Sequence, residues 1–220
     1  PVGTGRSAAD IVALDPVAAT KVGIDSLGPE ALARAAAYTQ GGHWLILWGL
    51  VVAVVVTWII IRSRLLDRLD ARLSGLWTEL RVFALCATFF LLSAIIALPW
   101  DVYADWARER GYGRTSQPFS DWLGQFAMSS IITAIVAGLF FVGIYSLIRR
   151  TGHRWWIWSG GLAAVAISAL LLLSPIVIEP LFNEYKPVPA GPVRDALVEM
   201  AKSADIPPDH ILMFDGSRQS

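Results

Sequence analysis

Four stretches of this sequence contain no Asp, Glu, Lys, Arg or His: residues 44–61, 82–100, 126–148 and 155–178. The shortest of them, coiled as an α-helix, is about 27 Å long, enough to cross the hydrocarbon core of a bilayer. A helix that is apolar all round has no face to give to water, so these runs predict membrane spans. Composition agrees, because only 16% of residues are charged and mean hydropathy is +0.54, against about a quarter charged in ordinary soluble domains. Trp44, Trp48 and Trp58 mark the ends of the first run, and Trp155, Trp156 and Trp158 open the last, as interfacial aromatics do. Charge-free spans argue against a solute or proton pathway built from them alone. Net charge is zero with no basic stripe, which leaves a nucleic-acid partner without support. The single cysteine, Cys86, excludes an intrachain disulfide and reads as a small buried hydrophobe. The chain begins at Pro1 with no signal-peptide pattern, so a fragment or processed product is expected.

Between the spans the signals are local. Residues 1–30 read as loop or loose helix, and residues 29–40 as a short helix opened by Pro29 and Glu30 and stopped by Gly41-Gly42. In residues 62–81, Leu65, Leu66, Leu69, Leu73, Leu76 and Leu80 share one helical face, predicting either a helix on the membrane surface or an extension of the spans. Residues 101–125 read as a polar connection with a helix start at Ser120-Asp121-Trp122. Ser129, Ser130, Gly138 and Gly143 would let the third span approach a neighbour closely. Arg149, Arg150, His153 and Arg154 form a link so short that the third and fourth spans must be antiparallel neighbours. Pro175 is expected to bend the end of the fourth. Pro192 then opens an amphipathic helix with Val193, Ala196, Leu197, Met200, Ala201 and Ala204 on one face, broken at Ile206-Pro207-Pro208. Residues 210–214 predict a short strand, its partner expected beyond Ser220.

The fold class is therefore mainly α: a polytopic helical membrane protein with four spans, followed by the start of a small αβ unit of one helix and one strand. The layout is an N-terminal polar segment with a short helix (1–43), a membrane module (44–182) and the αβ start (183–220).

Chemistry is sparse. His43, His153 and His210 are isolated, and no H-E-x-x-H, G-x-S-x-G or P-loop occurs. Glu179 reads as an interfacial carboxylate. The acids Asp101, Asp105, Glu109 and Asp121 with Arg108, Arg110 and Arg114 read as a solvated connection, where Tyr103 and Trp106 could lie against the membrane.

Three strings carry more. LPWDVYADWARERGYG (98–113), IEPLFNEYKPVPAGPVRDAL (178–197) and HILMFDGSRQS (210–220) stand in the order and approximate spacing of the CAAX prenyl endopeptidases, and the chain resembles their bacterial members. Pro99, Tyr103 and Glu109 match the first string. Pro180, Leu181, Phe182 and Asn183, with Pro187 and Pro189, match the second; Asp215, Gly216, Ser217 and Arg218 match the third. Glu179 departs from the family pattern, which commonly has a small residue before Pro-Leu-Phe. The resemblance implies the amino-terminal membrane module of a multi-pass zinc metalloprotease of gluzincin type. Such an enzyme cleaves prenylated or membrane-associated peptides in a helical chamber closed by a zinc domain. The zinc ligands and the water-activating Glu would lie past Ser220, so no catalytic or metal residue is assigned here. The matched positions would be positioning or structural. Expected partners are the bilayer, the peptide substrate and the missing C-terminal protease domain; the expected location is a bacterial inner membrane. Orientation is contested. The arginines of residues 62–81 and 149–154 would place their side in the cytoplasm, whereas the resemblance places the protease side there. A different class of reading is a non-catalytic membrane scaffold or substrate-binding module.

Overall fold

A computed structural model describes residues 16–182, 186–203 and 211–213. The chain divides into two compact units, the first ending at Val51 and the second beginning at Val52. The first holds α1 (Pro16–Ser26) and the start of α2 (Gly28–Ser63). Gly28, at φ 78°, adopts the left-handed backbone that separates the two. Of the loop or loose helix expected over residues 1–30, residues 16–26 are helical.

The expected stop at Gly41-Gly42 is absent: α2 runs unbroken through both. Two glycines cost about 1 kcal/mol each inside a helix. Opening the ladder beside a membrane would strand several backbone groups at several kcal/mol apiece.

In the second unit α2 ends at Arg64, which takes the left-handed conformation (φ 54°, ψ 24°) at a cost of about 1–2 kcal/mol for a residue with a Cβ. The Ser63 hydroxyl supports the break, donating to the Ile60 carbonyl at 2.7 Å and accepting from the Leu65 N–H at 3.3 Å. Residues 62–81 therefore form neither an extended helix nor a long surface helix. They fold into α3 (Leu65–Arg72) and a turn that leads into α4 (Thr78–Asp101). Arg81 of α4 grips both carboxylate oxygens of Asp70 on α3.

From α4 the chain passes through a π-helical turn (Val102–Ala107) into α5 (Arg108–Gly111). It then crosses to α6 (Phe119–Thr151), makes a 3-10 turn at Gly152–Arg154 and returns as α7 (Trp155–Leu173). Gly152 (φ 52°, ψ −120°) makes that reversal in a conformation few other residues reach. The first half of the expected polar connection, up to Gly111, is thus helical. A second π-helical turn, Ser174–Ile178, contains Pro175 and leads into α8 (Glu179–Phe182).

Among the described residues three helical stretches are long and apolar enough to cross a membrane: Gly28–Ser63, Thr78–Gly111 and Phe119–Ile178, the last running through the α6–α7 reversal. The molecule is mainly helical and its membrane surface is lipid-like, with Ile46, Val165, Leu171 and Ile176 among many exposed aliphatic side chains. Among the described residues the most extensive helix packing is in the row α4–α6–α7. Ser130, Ala134 and Gly138, four residues apart, turn a small-residue seam inward on α6, with Ala134 and Gly138 buried. A Cβ at Gly138 would lie 2.8 Å from the Phe83 ring of α4, and one at Gly143 would lie 2.7 Å from Leu162 of α7. These close approaches are what small residues permit between membrane helices.

The αβ start consists of β1 (Lys186–Pro187), α9 (Pro192–Ser203) and β2 (Leu212–Met213). β2 finds a partner upstream: it pairs antiparallel with β1, Lys186 opposite Met213 and Pro187 opposite Leu212. Pro187 has no N–H, which suits an edge strand.

Candidate functional site

The described polar chemistry is concentrated where α4 runs out. Pro99 sits inside the helix, removing one backbone donor and crowding the carbonyl of residue 95. The ladder then widens to the π-helical turn of Val102–Ala107, a form that recurs at functional positions. The wider turn rotates the residues beyond it, so that Ala104 and Glu109 face inward while Tyr103 stays 55% exposed. The Tyr103 ring lies 5.9 Å from that of Trp100.

Glu109 is only 7% exposed. Its two oxygens meet Arg108 Nη1 and Arg114 Nε, each at 3.1 Å, and its carbonyl accepts from the Arg114 N–H at 2.9 Å. One carboxylate thus pins the chain on both sides of the Gly113 turn. The return strand is held as firmly: the Trp106 indole N–H donates to the Gln117 carbonyl at 3.0 Å, and the buried Gln117 amide donates to Gln125 Oε1 at 2.8 Å. The rings of Trp106, Phe119, Trp122 and Phe126 succeed one another at 5.0–6.0 Å into the membrane. Arg110 lies over the Trp106 ring at 5.3 Å and Arg108 over Tyr112 at 5.4 Å.

Two cavities lie along the helix row, the smaller of them beside this clasp. The smaller, about 240 Å³, opens between α4 and α6, where Asp101 meets Ser129, Ser130 and Thr133. The larger, about 800 Å³, is an apolar cleft between α6 and α7 lined by residues such as Ile132, Phe140, Ala166 and Leu170. Ser129 and Thr133 border both. The runs 82–100 and 126–148 are charge-free, yet the helical stretch Thr78–Gly111 brings the Asp101 carboxylate to their mouth.

Of the matched positions, Pro99, Tyr103 and Glu109 are gathered on one helical run. Pro180, Leu181 and Phe182 lie on α8, and Leu181 is 53% exposed. Asn183, Asp215, Gly216, Ser217 and Arg218 lie outside the described residues. Sequence reasoning missed Thr115 and Gln117, ordinary polar residues whose burial depends on the chain folding back, and Gln125, which accepts from Gln117. Among the described residues no three His, Cys, Asp or Glu side chains come together as metal donors. The described residues do not fit a zinc site.

A membrane-helix row with a proline-widened, carboxylate-clasped connection defines a class of membrane module. The family described as the CAAX prenyl protease N-terminal domain, with five membrane helices, matches residues 19–184. The chain belongs to that family and is an integral membrane protein. It is 30% identical over 147 residues to the human CAAX prenyl protease 1 homolog, covering 65% of this chain and 30% of the relative. It is 26% identical over 121 residues to the Bacillus subtilis metalloprotease YhfN, covering 55% and 28%. Its fold is similar to the crystal structure of S. mikatae Ste24p, with a TM-score of 0.65 at 16% identity over 83% of this chain and 44% of that one. The chain thus spans about 30% of the length of these curated relatives.

Proposed function

We propose that these residues are the amino-terminal membrane module of a membrane-embedded zinc endopeptidase that hydrolyses peptide bonds of prenylated or membrane-associated substrates. The observation that carries this reading is the family match across residues 19–184. In this reading α6 and α7 are two separate spans, making four in all, and residues 183–220 begin the zinc domain. Zinc and its general base come from sequence that this chain does not contain. Pro99, Tyr103, Glu109, Pro180, Leu181, Phe182, Asn183, Asp215, Ser217 and Arg218 position that domain. The clasp around Glu109 and the turn at Pro175 end on the same side of the row, because α4 and α7 both pack antiparallel to α6. They would brace the mouth through which a peptide reaches the metal, with the apolar cleft taking its lipid or apolar part.

Residues 1–220 alone are expected to bind no stoichiometric zinc and to cleave no farnesylated peptide, while the parent does both and is inhibited by a chelator. Metal analysis and peptide cleavage of the two proteins check this. Zinc-dependent cleavage by residues 1–220 would overturn the assignment of the metal site. A downstream reading frame without H-E-x-x-H would favour a scaffold instead.

In the same reading the αβ unit lies on the cytoplasmic side of a bacterial inner membrane. With Cys86→Ala as background, Ser203→Cys is expected to resist an impermeant maleimide in intact cells and to react after permeabilisation. Labelling of intact cells would reverse the orientation.

A further inference from the structure

We propose that the arginine-rich end of the helix row is a binding surface for anionic phospholipid headgroups. Residues 62–81 and 149–154 carry eight arginines against Asp67, Asp70 and Glu79, a net charge of +5. The fold gathers them at one place. Asp70–Arg81 ties α3 to the start of α4, and Arg149 reaches Glu79 at 3.8 Å, tying the end of α6 to the same point. Arg154 lies just across the 3-10 turn.

On α3, Leu66, Leu69 and Leu73 are half-buried, while Arg64, Arg68 and Arg72, spaced by four, stand exposed on the opposite side. Among the described residues Arg62, Arg64, Arg68, Arg72, Arg150 and Arg154 make no ion pair. The end is also ringed by indoles that pack on little protein, Trp77 at 84% exposure and Trp156 at 63%. Exposed indoles mark headgroup depth. A surface at that depth with exposed guanidinium forks meets lipid phosphates first, and Arg pairs with phosphate bidentately. At the opposite end, residues 101–125 hold four acids and three arginines, a net charge of −1 against the +5 here.

The test uses the full chain in neutral detergent, with retained lipid counted by native mass spectrometry. Phosphatidylglycerol is expected to be retained at least about tenfold over phosphatidylcholine. That preference should fall as salt rises from about 50 to about 300 mM, and millimolar inorganic phosphate should not displace the lipid. Arg64→Gln, Arg68→Gln and Arg150→Gln combined should lower phosphatidylglycerol retention by about a hundredfold, at about fivefold per arginine near such a surface. Arg194→Gln with Lys202→Gln, on α9, should leave it unchanged. Equal retention of both lipids, no salt dependence, an unchanged triple variant or displacement by phosphate alone would each overturn the proposal. Should the triple variant fail to fold, the wild-type lipid ratio and its salt series decide.

Discussion

Replacing Glu109 with alanine is expected to lower folding stability by about 3–5 kcal/mol, the scale for breaking a buried ion pair. The cost comes from Arg108 rather than from the lost contacts themselves. The Arg108 side chain is as secluded as that of Glu109, each at 9% exposure, and would keep its charge out of water without its carboxylate. Arg114 is 55% exposed and can return to solvent, so it adds little. Replacing Glu109 and Arg108 together with methionine should recover most of the loss, because neither charge then remains inside. Unfolding of detergent-solubilised chain along an SDS titration reads the difference. If the alanine variant unfolds at the wild-type SDS fraction, the carboxylate does not hold the connection.

Gly138→Leu should cost about 3 kcal/mol, the upper part of the range for overfilled packing. A Cβ at this position already meets the Phe83 ring at 2.8 Å and its carbonyl oxygen at 3.5 Å. The ring can shift a little, but the backbone of α4 cannot, so a leucine must push the two helices apart. The same substitution in a Phe83→Leu background should cost markedly less, since the ring edge is gone. Equal cost in both backgrounds would mean that the α4–α6 contact is not what confines residue 138. Gly124, with nothing within 4 Å of its would-be Cβ, serves as the control.

The membrane helices were legible because they depend on a local property: charge-free runs mark them, and the short link of Arg149, Arg150, His153 and Arg154 marks the reversal. Pro192 likewise opened its helix as expected. What the sequence hid was set by distance. Gly41 and Gly42 carry the signature of a stop, yet the cost of exposing backbone beside lipid outweighs it. The partner found for β2 lies some 25 residues upstream of it, and Pro187 favours extended backbone there without announcing a strand. The candidate site was half visible. Glu109 could be singled out by resemblance, but its burial requires Arg114 to return across the Gly113 turn, and the inward amide of Gln117 requires Gln125 one helix later.

The two π-helical turns give the row a property that helix count does not express. Each inserts one residue into a helical period, so it works as a phase shifter of about 100° between the membrane helix before it and the short helix after it. Upstream of Val102 the helix is indexed to α6 through Phe83; downstream, Glu109 is indexed to the returning connection instead. Losing one residue between Val102 and Ala107 would therefore act chiefly as a rotation, aiming residue 109 away from Arg114. Chain length at Val102–Ala107 and Ser174–Ile178 encodes direction rather than reach.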